Sequence, residues 1–250
     1  VSGPFVIERH PSLGSTNDEA LRRAAEGAPE GLVVVAGTQT AGRGRRGRTW
    51  HDAPGKSLLF SVLLAPALPL PSFPLLSLAM AAAVAEAGRT LSGAPLLVKW
   101  PNDVTHRGGK LCGVLAESRS MGGPGGRGPV LVIGTGVNVN QLVEDLPADL
   151  RSRASSLRLA AGGRPIDREA LLGEILRRFE PAARLAHGED PAPLFAALGP
   201  HLPAPGRPIA VRVGDRVVEG PVEAVLETGA LLVRDARSGI VETVAAGELT

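Results

Sequence analysis

Short apolar, β-branched runs alternate along this chain with longer stretches of helical period. Residues 32–36 are apolar throughout, and 56–64 nearly so up to the prolines at 66, 69 and 71, so both predict strands. Over 73–91, Leu75, Leu76, Ala79, Ala83 and Val84 repeat at helical spacing, and the helix is expected to end near Gly93. Residues 96–98 form the next strand, broken by Pro101, and Arg107-Gly108-Gly109 predicts a hairpin into a strand over 110–118. Alternation there places Lys110, Cys112 and Val114 on one face, with Leu111, Gly113 and Leu115 on the other. A glycine-rich hairpin tip (121–129) leads into a strand over 130–140. Gly134, Gly136, Asn138 and Asn140 share one of its faces, leaving room and hydrogen bonds for a ligand.

At the N-terminal end, Thr16 with Glu19 reads as a capping box opening a helix over 17–26, which Gly27 and Pro29 stop. Residues 142–163 are polar and irregular, and a loop that orders on binding is expected. An amphipathic helix follows over 167–186, with Asp167 as its N-cap and Leu171, Leu172, Ile175, Leu176 and Phe179 inward, then a shorter helix over 191–198. Prolines 200, 203, 205 and 208 form a linker. Five short strands within 209–249 then read as a small β-barrel, which divides the chain into domains 1–204 and 205–250.

Composition narrows the function. With 250 residues and 44% hydrophobic content the chain can bury a core, and 27 basic against 25 acidic residues is too balanced for a dedicated nucleic-acid binder. The lone cysteine, Cys112, excludes an internal disulfide and a multi-cysteine metal site. No apolar run is expected to reach the ~20 residues of a membrane span. Residues 1–14 lack the features of a signal peptide, so a cytoplasmic protein with no membrane partner is expected. The chain has 24 arginines and three lysines, Lys56, Lys99 and Lys110, which draws attention to places where a compact ammonium stands.

The segment from Gln39 to Trp50 concentrates the chemistry: Gly42-Arg43-Gly44-Arg45-Arg46-Gly47-Arg48 carries four arginines and three glycines. Glycine lets backbone approach a ligand, and arginine offers a planar fork of donors to phosphate or carboxylate. Such a loop suits closure over an anion. It also suits a basic segment touching RNA non-specifically, and these residues alone leave both readings open. His51 and His106 read as solvated loop histidines, and Cys112 as a small packing residue.

The arginine loop is followed in order by Lys99-Trp100-Pro101-Asn102-Asp103, Lys110-Leu111-Cys112-Gly113 and Gly134-Thr135-Gly136-Val137-Asn138-Val139-Asn140. With these motifs in this order the chain resembles the biotin protein ligases over nearly its whole length. The resemblance implies an α+β fold: a central mixed β-sheet flanked by helices, similar to class II aminoacyl-tRNA synthetase cores, with a small C-terminal SH3-like β-barrel. It implies that biotin and ATP give biotinyl-5'-adenylate, which a lysine of a biotin carboxyl carrier protein then attacks. Some family members add an N-terminal DNA-binding domain. This chain has no room for one, so no DNA partner or repressor role is expected.

By the same resemblance Ser15, Thr16, Asn17 and Gln39 surround biotin, with Arg43, Gly44, Arg45, Lys110 and Gly113 bordering it. Lys110 bridges the biotin carboxylate and the α-phosphate. Arg43 and Arg45 hold phosphates, Arg48 and Trp50 pin the closed loop, Asn102 lies near the phosphates and Asn138 bonds the adenosine. Asp103 joins Lys110 and Arg45 as a catalytic candidate, orienting Mg²⁺ or the attacking amine, while Trp100 packs against the sheet. No protein metal site is expected, Mg²⁺ being held mainly by ATP oxygens. The barrel completes the ATP site and meets the acceptor; a homodimer is left open. The rival activities are a lipoate ligase or acyltransferase on the same architecture, and an RNA-binding module.

Overall fold

The computed structural model describes residues 5–120 and 128–249, so most of the predicted hairpin tip (121–127) lies outside the described residues. In chain order the elements are β1 (Val6–His10), α1 (Thr16–Ala25), β2 (Leu32–Ala36), β3 (Ser57–Leu64), α2 (Pro74–Ser92), β4 (Leu97–Lys99), β5 (Asp103–His106), β6 (Gly109–Ser120) and β7 (Pro129–Asn138). Three further helices follow: α3 (Leu157–Ala160), α4 (Arg168–Leu185) and α5 (Ala192–Leu198). The last strands are β8 (Pro208–Val213), β9 (Arg216–Val225), β10 (Leu231–Arg234), β11 (Val241–Val244) and β12 (Glu248–Leu249). A seven-stranded mixed sheet runs β1-β2-β3-β7-β6-β5-β4, with β1 and β2 parallel and every other pair antiparallel. A separate antiparallel sheet runs β11-β10-β9-β8-β12.

The apolar runs are explained by burial on both faces of the large sheet. Leu32 and Val34 of β2 pack with Ala20, Leu21 and Ala24 of α1, whereas Val33 and Val35 belong to the core formed with α2 and α4. Phe60, Ile133, Leu75, Leu76 and Phe179 are essentially inaccessible there. Each such side chain contributes about 1.5–3 kcal/mol by leaving water.

Asp167 caps α4 as expected, accepting from the N–H groups of Glu169 and Ala170. The stretch Leu70–Ser92, contrary to expectation, is long and apolar enough to cross a membrane by length and composition. Its apolarity is accounted for by packing, since 72% of that window is buried inside the fold.

Other expectations are corrected. Thr16 is not a cap: Ser15 precedes the helix without a side-chain capping bond, and Glu19 pairs with Arg22 at 2.6 Å. Residues 142–163 are not irregular throughout: they contain α3, bury Leu146, Ser155, Ser156 and Leu157, and form a parallel bridge from Ala154 to Lys110. Two predicted C-terminal strands are one, β9, which passes β10 so closely that a methyl on Gly220 would lie 2.0 Å from the Arg234 carbonyl oxygen. The small sheet rests on the large unit, where Trp100 Nε1 donates to the Gly229 carbonyl at 2.9 Å and Gly229 abuts Leu75 and Leu78 of α2.

Candidate functional site

Helix α1 covers only part of its face of the sheet. Beyond its N-terminal end the side chains on that face shrink to Gly134 and Gly136 on β7 and Gly113 on β6. A methyl on Gly134 would fall 2.1 Å from Asn17 Oδ1, one on Gly136 2.5 Å from Trp50 Cε2, and one on Gly113 3.0 Å from Lys110 Nζ. The glycines are the floor of an open cleft. Of the predicted site residues, Ser15, Thr16, Asn17, Gln39, Arg43, Gly44, Arg45, Arg48, Trp50, Asn102, Asp103, Lys110 and Gly113 all line it.

One wall is a buried amide and hydroxyl network. Gln39 is carried beside α1 by a parallel bridge to Leu13, and its Oε1 accepts from the Thr16 N–H (2.7 Å) and hydroxyl (3.1 Å). Ser61 Oγ meets Thr16 Oγ1 at 2.7 Å and donates to Asn17 Oδ1 at 2.6 Å. Asn17 Nδ2 donates to the Leu115 carbonyl and to Glu117 Oε2. Each amide is thereby oriented before any ligand arrives.

The opposite wall is the arginine loop, folded back on itself through an Arg43–Thr49 bridge, Trp50 N–H to Gly42 carbonyl (2.9 Å) and Gly44 N–H to Arg48 carbonyl (2.7 Å). Arg46 (φ 56°) and Gly47 (φ 72°) turn its tip in the left-handed region. Arg45 Nη1 donates to Asn102 Oδ1 at 2.8 Å, which ties the loop to the turn before β5. Arg43 points elsewhere, to Asp18 (2.6 Å) and Glu117 (3.1 Å). Those partners raise the Arg43 pKa, the hydrogen bond to Asp18 contributing most, and the same contact holds Asp18 below its ordinary value.

Lys110 faces this cleft for a reason alternation missed. Thr105 pairs with Lys110 but Val104 with Cys112, so Leu111 is an extra residue in β6. The bulge inverts the pleat locally and sets Lys110 beside Gly113, while Leu111, Cys112 and Val114 go to the core. The Lys110 backbone is held by Arg153 and Ser155. Its ammonium lies 2.8 Å from Asp103 Oδ1 and 5.8 Å from the Trp50 ring centroid. Cys112 is fully enclosed and burial pushes its thiol up, so no nucleophile stands there. His106 is half-buried near Ser155, not solvated, and burial lowers its pKa.

Asn138 is not among the residues lining the cleft and stands on a second hollow with His51, Gln141 and Asp145. Its amide donates to the Ser155 carbonyl and accepts from Gln141 Nε2. Asn140 is likewise spent on the backbone of Ile166. Among the described residues no three His, Cys, Asp or Glu side chains group to hold a metal. Two contributors were not foreseen from sequence, Ser61 and Glu117. Ser61 had a signal, a buried hydroxyl between the apolar runs Leu58–Phe60 and Val62–Leu64 of one strand.

Residues 11–138 match the biotin/lipoate A/B protein ligase family. The chain belongs to that family. Similar curated relatives include the bifunctional ligase/repressor BirA of Bacillus subtilis, 41% identical over 197 residues covering 78% of this chain and 59% of that protein. The biotin–[acetyl-CoA-carboxylase] ligase of Mycobacterium tuberculosis is 37% identical over 201 residues, covering 78% of this chain and 70% of that protein. The chain thus spans about three-fifths of the Bacillus relative's length. Among solved structures, the biotin protein ligase of Aquifex aeolicus in complex with biotin and ATP superposes with a TM-score of 0.76 at 26% identity, over 98% of this chain and 97% of that one. The Aquifex superposition takes in both the mixed sheet and the small C-terminal sheet beside it.

Proposed function

We propose that this chain is an ATP-dependent biotin–protein ligase that makes biotinyl-5'-adenylate and transfers biotin to a lysine of a biotin carboxyl carrier protein in the cytoplasm. The observation that carries this reading is the convergence of the arginine loop and Lys110 on one glycine-floored cleft beside a preoriented amide wall. The relatives and the Aquifex structure named for biotin and ATP support it.

The chemistry fits the residues. The ureido ring of biotin needs fixed donors and acceptors in a pocket that otherwise excludes water. Thr16, Asn17 and Gln39, with Ser15 at the helix start, supply that wall. In the first step a biotin carboxylate oxygen attacks the α-phosphorus as its bond to the departing pyrophosphate breaks. Two anions must approach, and the Lys110 ammonium neutralises both where they meet. Asp103 positions that ammonium. Arg45 and Arg48 hold phosphate charge, Asn102 fixes Arg45, and Trp50 and Gly44 let the loop lie close over the mixed anhydride, shielding it from water. Asp103, a carboxylate on the cleft wall, would orient magnesium brought in by the nucleotide, which would supply further positive charge at the phosphates.

In the second step the acceptor amine attacks the biotinyl carbonyl carbon and AMP leaves. Residues 1–204 form the catalytic unit. Residues 205–250 complete the cleft rim through Gly247 and Leu249 and meet the acceptor. Biotin-dependent exchange of labelled pyrophosphate into ATP tests the reading. Exchange with biotin but not with lipoate or octanoate is expected. Exchange only with lipoate or octanoate, or none with any acid, contradicts it.

A further inference from the structure

Glu117 joins the two walls of the cleft. Its Oε2 accepts from Asn17 Nδ2 at 2.6 Å and from Arg43 Nη2 at 3.1 Å, and its Oε1 lies 3.3 Å from the same guanidinium. One carboxylate oxygen takes both donors, so a shift of either is felt by the other. Asn17 has little freedom of its own, being held by Ser61 and the Leu115 carbonyl above the Gly134 backbone. Arg43 opens the arginine loop, and the Arg43–Thr49 bridge stands at the loop's base. Asp18 also holds Arg43, through both carboxylate oxygens, and among the described residues no hydrogen bond ties its carboxylate to the amide wall. The two acids therefore do different things. Asp18 anchors the loop, and Glu117 connects it to the place where the ureido ring would sit.

We propose that Glu117 is a positioning residue that couples the Asn17 amide to the arginine loop, so that biotin seated on the amide wall stabilises the closed loop. This deepens the biotin–protein ligase reading and rests on it. The loop supplies its own reporter, because trypsin cuts after the arginines at 43, 45, 46 and 48 when they open. Cleavage is measured on the full chain with and without saturating biotin, biotin affinity is measured by calorimetry, and cutting at Arg177 in α4 reports global unfolding.

Glu117→Gln is expected to speed ligand-free cleavage of the loop and to reduce the protection ratio given by biotin by about fivefold or more, the usual lower range for a coupling between sites. Asp18→Asn is expected to speed ligand-free cleavage while keeping the wild-type protection ratio. A wild-type ratio in Glu117→Gln, or an equal loss of the ratio in both variants, overturns the coupling. Failure of the underlying reading looks different: the wild-type chain then shows no biotin binding in the calorimeter. In that event unchanged ligand-free cleavage in Glu117→Gln still overturns the contact itself.

Discussion

The two faces of β7 belong to different environments although they are one residue apart. Leu131, Ile133 and Val137 continue the core beneath α2 and α4, and each is about as inaccessible as a side chain becomes. On the opposite face, Val130 and Val132 lie under α1, and past that helix's end the same row continues as Gly134 and Gly136. The first face is filled by side chains of the strand. The second is filled by what other elements bring to it, Asn17 from α1 and Trp50 from the arginine loop. A site arises here because a covering helix stops and the strand stops supplying volume.

The largest expected effect falls on the charge above that floor. Lys110→Ala should lower biotin-dependent pyrophosphate exchange by roughly 10²–10³-fold or more, the range for losing one preorganised electrostatic group. Near-wild-type exchange would remove Lys110 from the chemistry. The next pair separates the two faces. Gly136→Ala should cut exchange by about 10²-fold through displacement of Trp50 and the loop, with little change in melting temperature. Ile133→Ala, three residues away on the other face, should cost about 2–5 kcal/mol in denaturant unfolding and leave exchange per folded molecule unchanged. A reversed pattern would break the comparison.

A smaller effect is expected at the wall. Ser61→Ala leaves Asn17 Oδ1 without its donor, worth about 1–3 kcal/mol, and should weaken biotin binding in calorimetry more than it weakens ATP binding. The smallest is a pH effect. The contact with Arg43 depresses the Asp18 pKa below its usual 3.8, so the pair contributes fully above that value and is lost only as pH falls through the depressed one. Hydrogen exchange at the Gly44 and Trp50 amides, corrected for intrinsic rates, should show constant protection down to about pH 4 and loss of it below. Loss beginning near neutrality would contradict this anchor.

Much of the fold was legible because strands buried on both faces and the long core helix carry continuous apolar runs, as in 32–36 and 73–91. What escaped legibility was non-local. The Leu111 bulge is created by pairing with β5, so a strict alternation rule put Lys110 on one face with Cys112 and Val114 and apart from Gly113. Thr16 was read as a cap because its partner Gln39 lies 23 residues away and only the Leu13–Gln39 bridge brings them together. Residues 142–163 are unpatterned in sequence because their path is set by bonds to β6 and to Asn138. Glu117 gave no signal at all, since a glutamate near the end of a strand is ordinarily a solvated one.

The central claim is that the cleft over Gly134 and Gly136 is where biotin and nucleotide meet. The most direct measurement is a crystal structure of this chain with a non-hydrolysable biotinyl-5'-adenylate analogue. The account predicts the ureido ring against Thr16 and Gln39, and the junction between the carboxyl and phosphate groups within hydrogen-bond reach of the Lys110 ammonium. A junction bound out of reach of Lys110, with the arginine loop uninvolved, would contradict it.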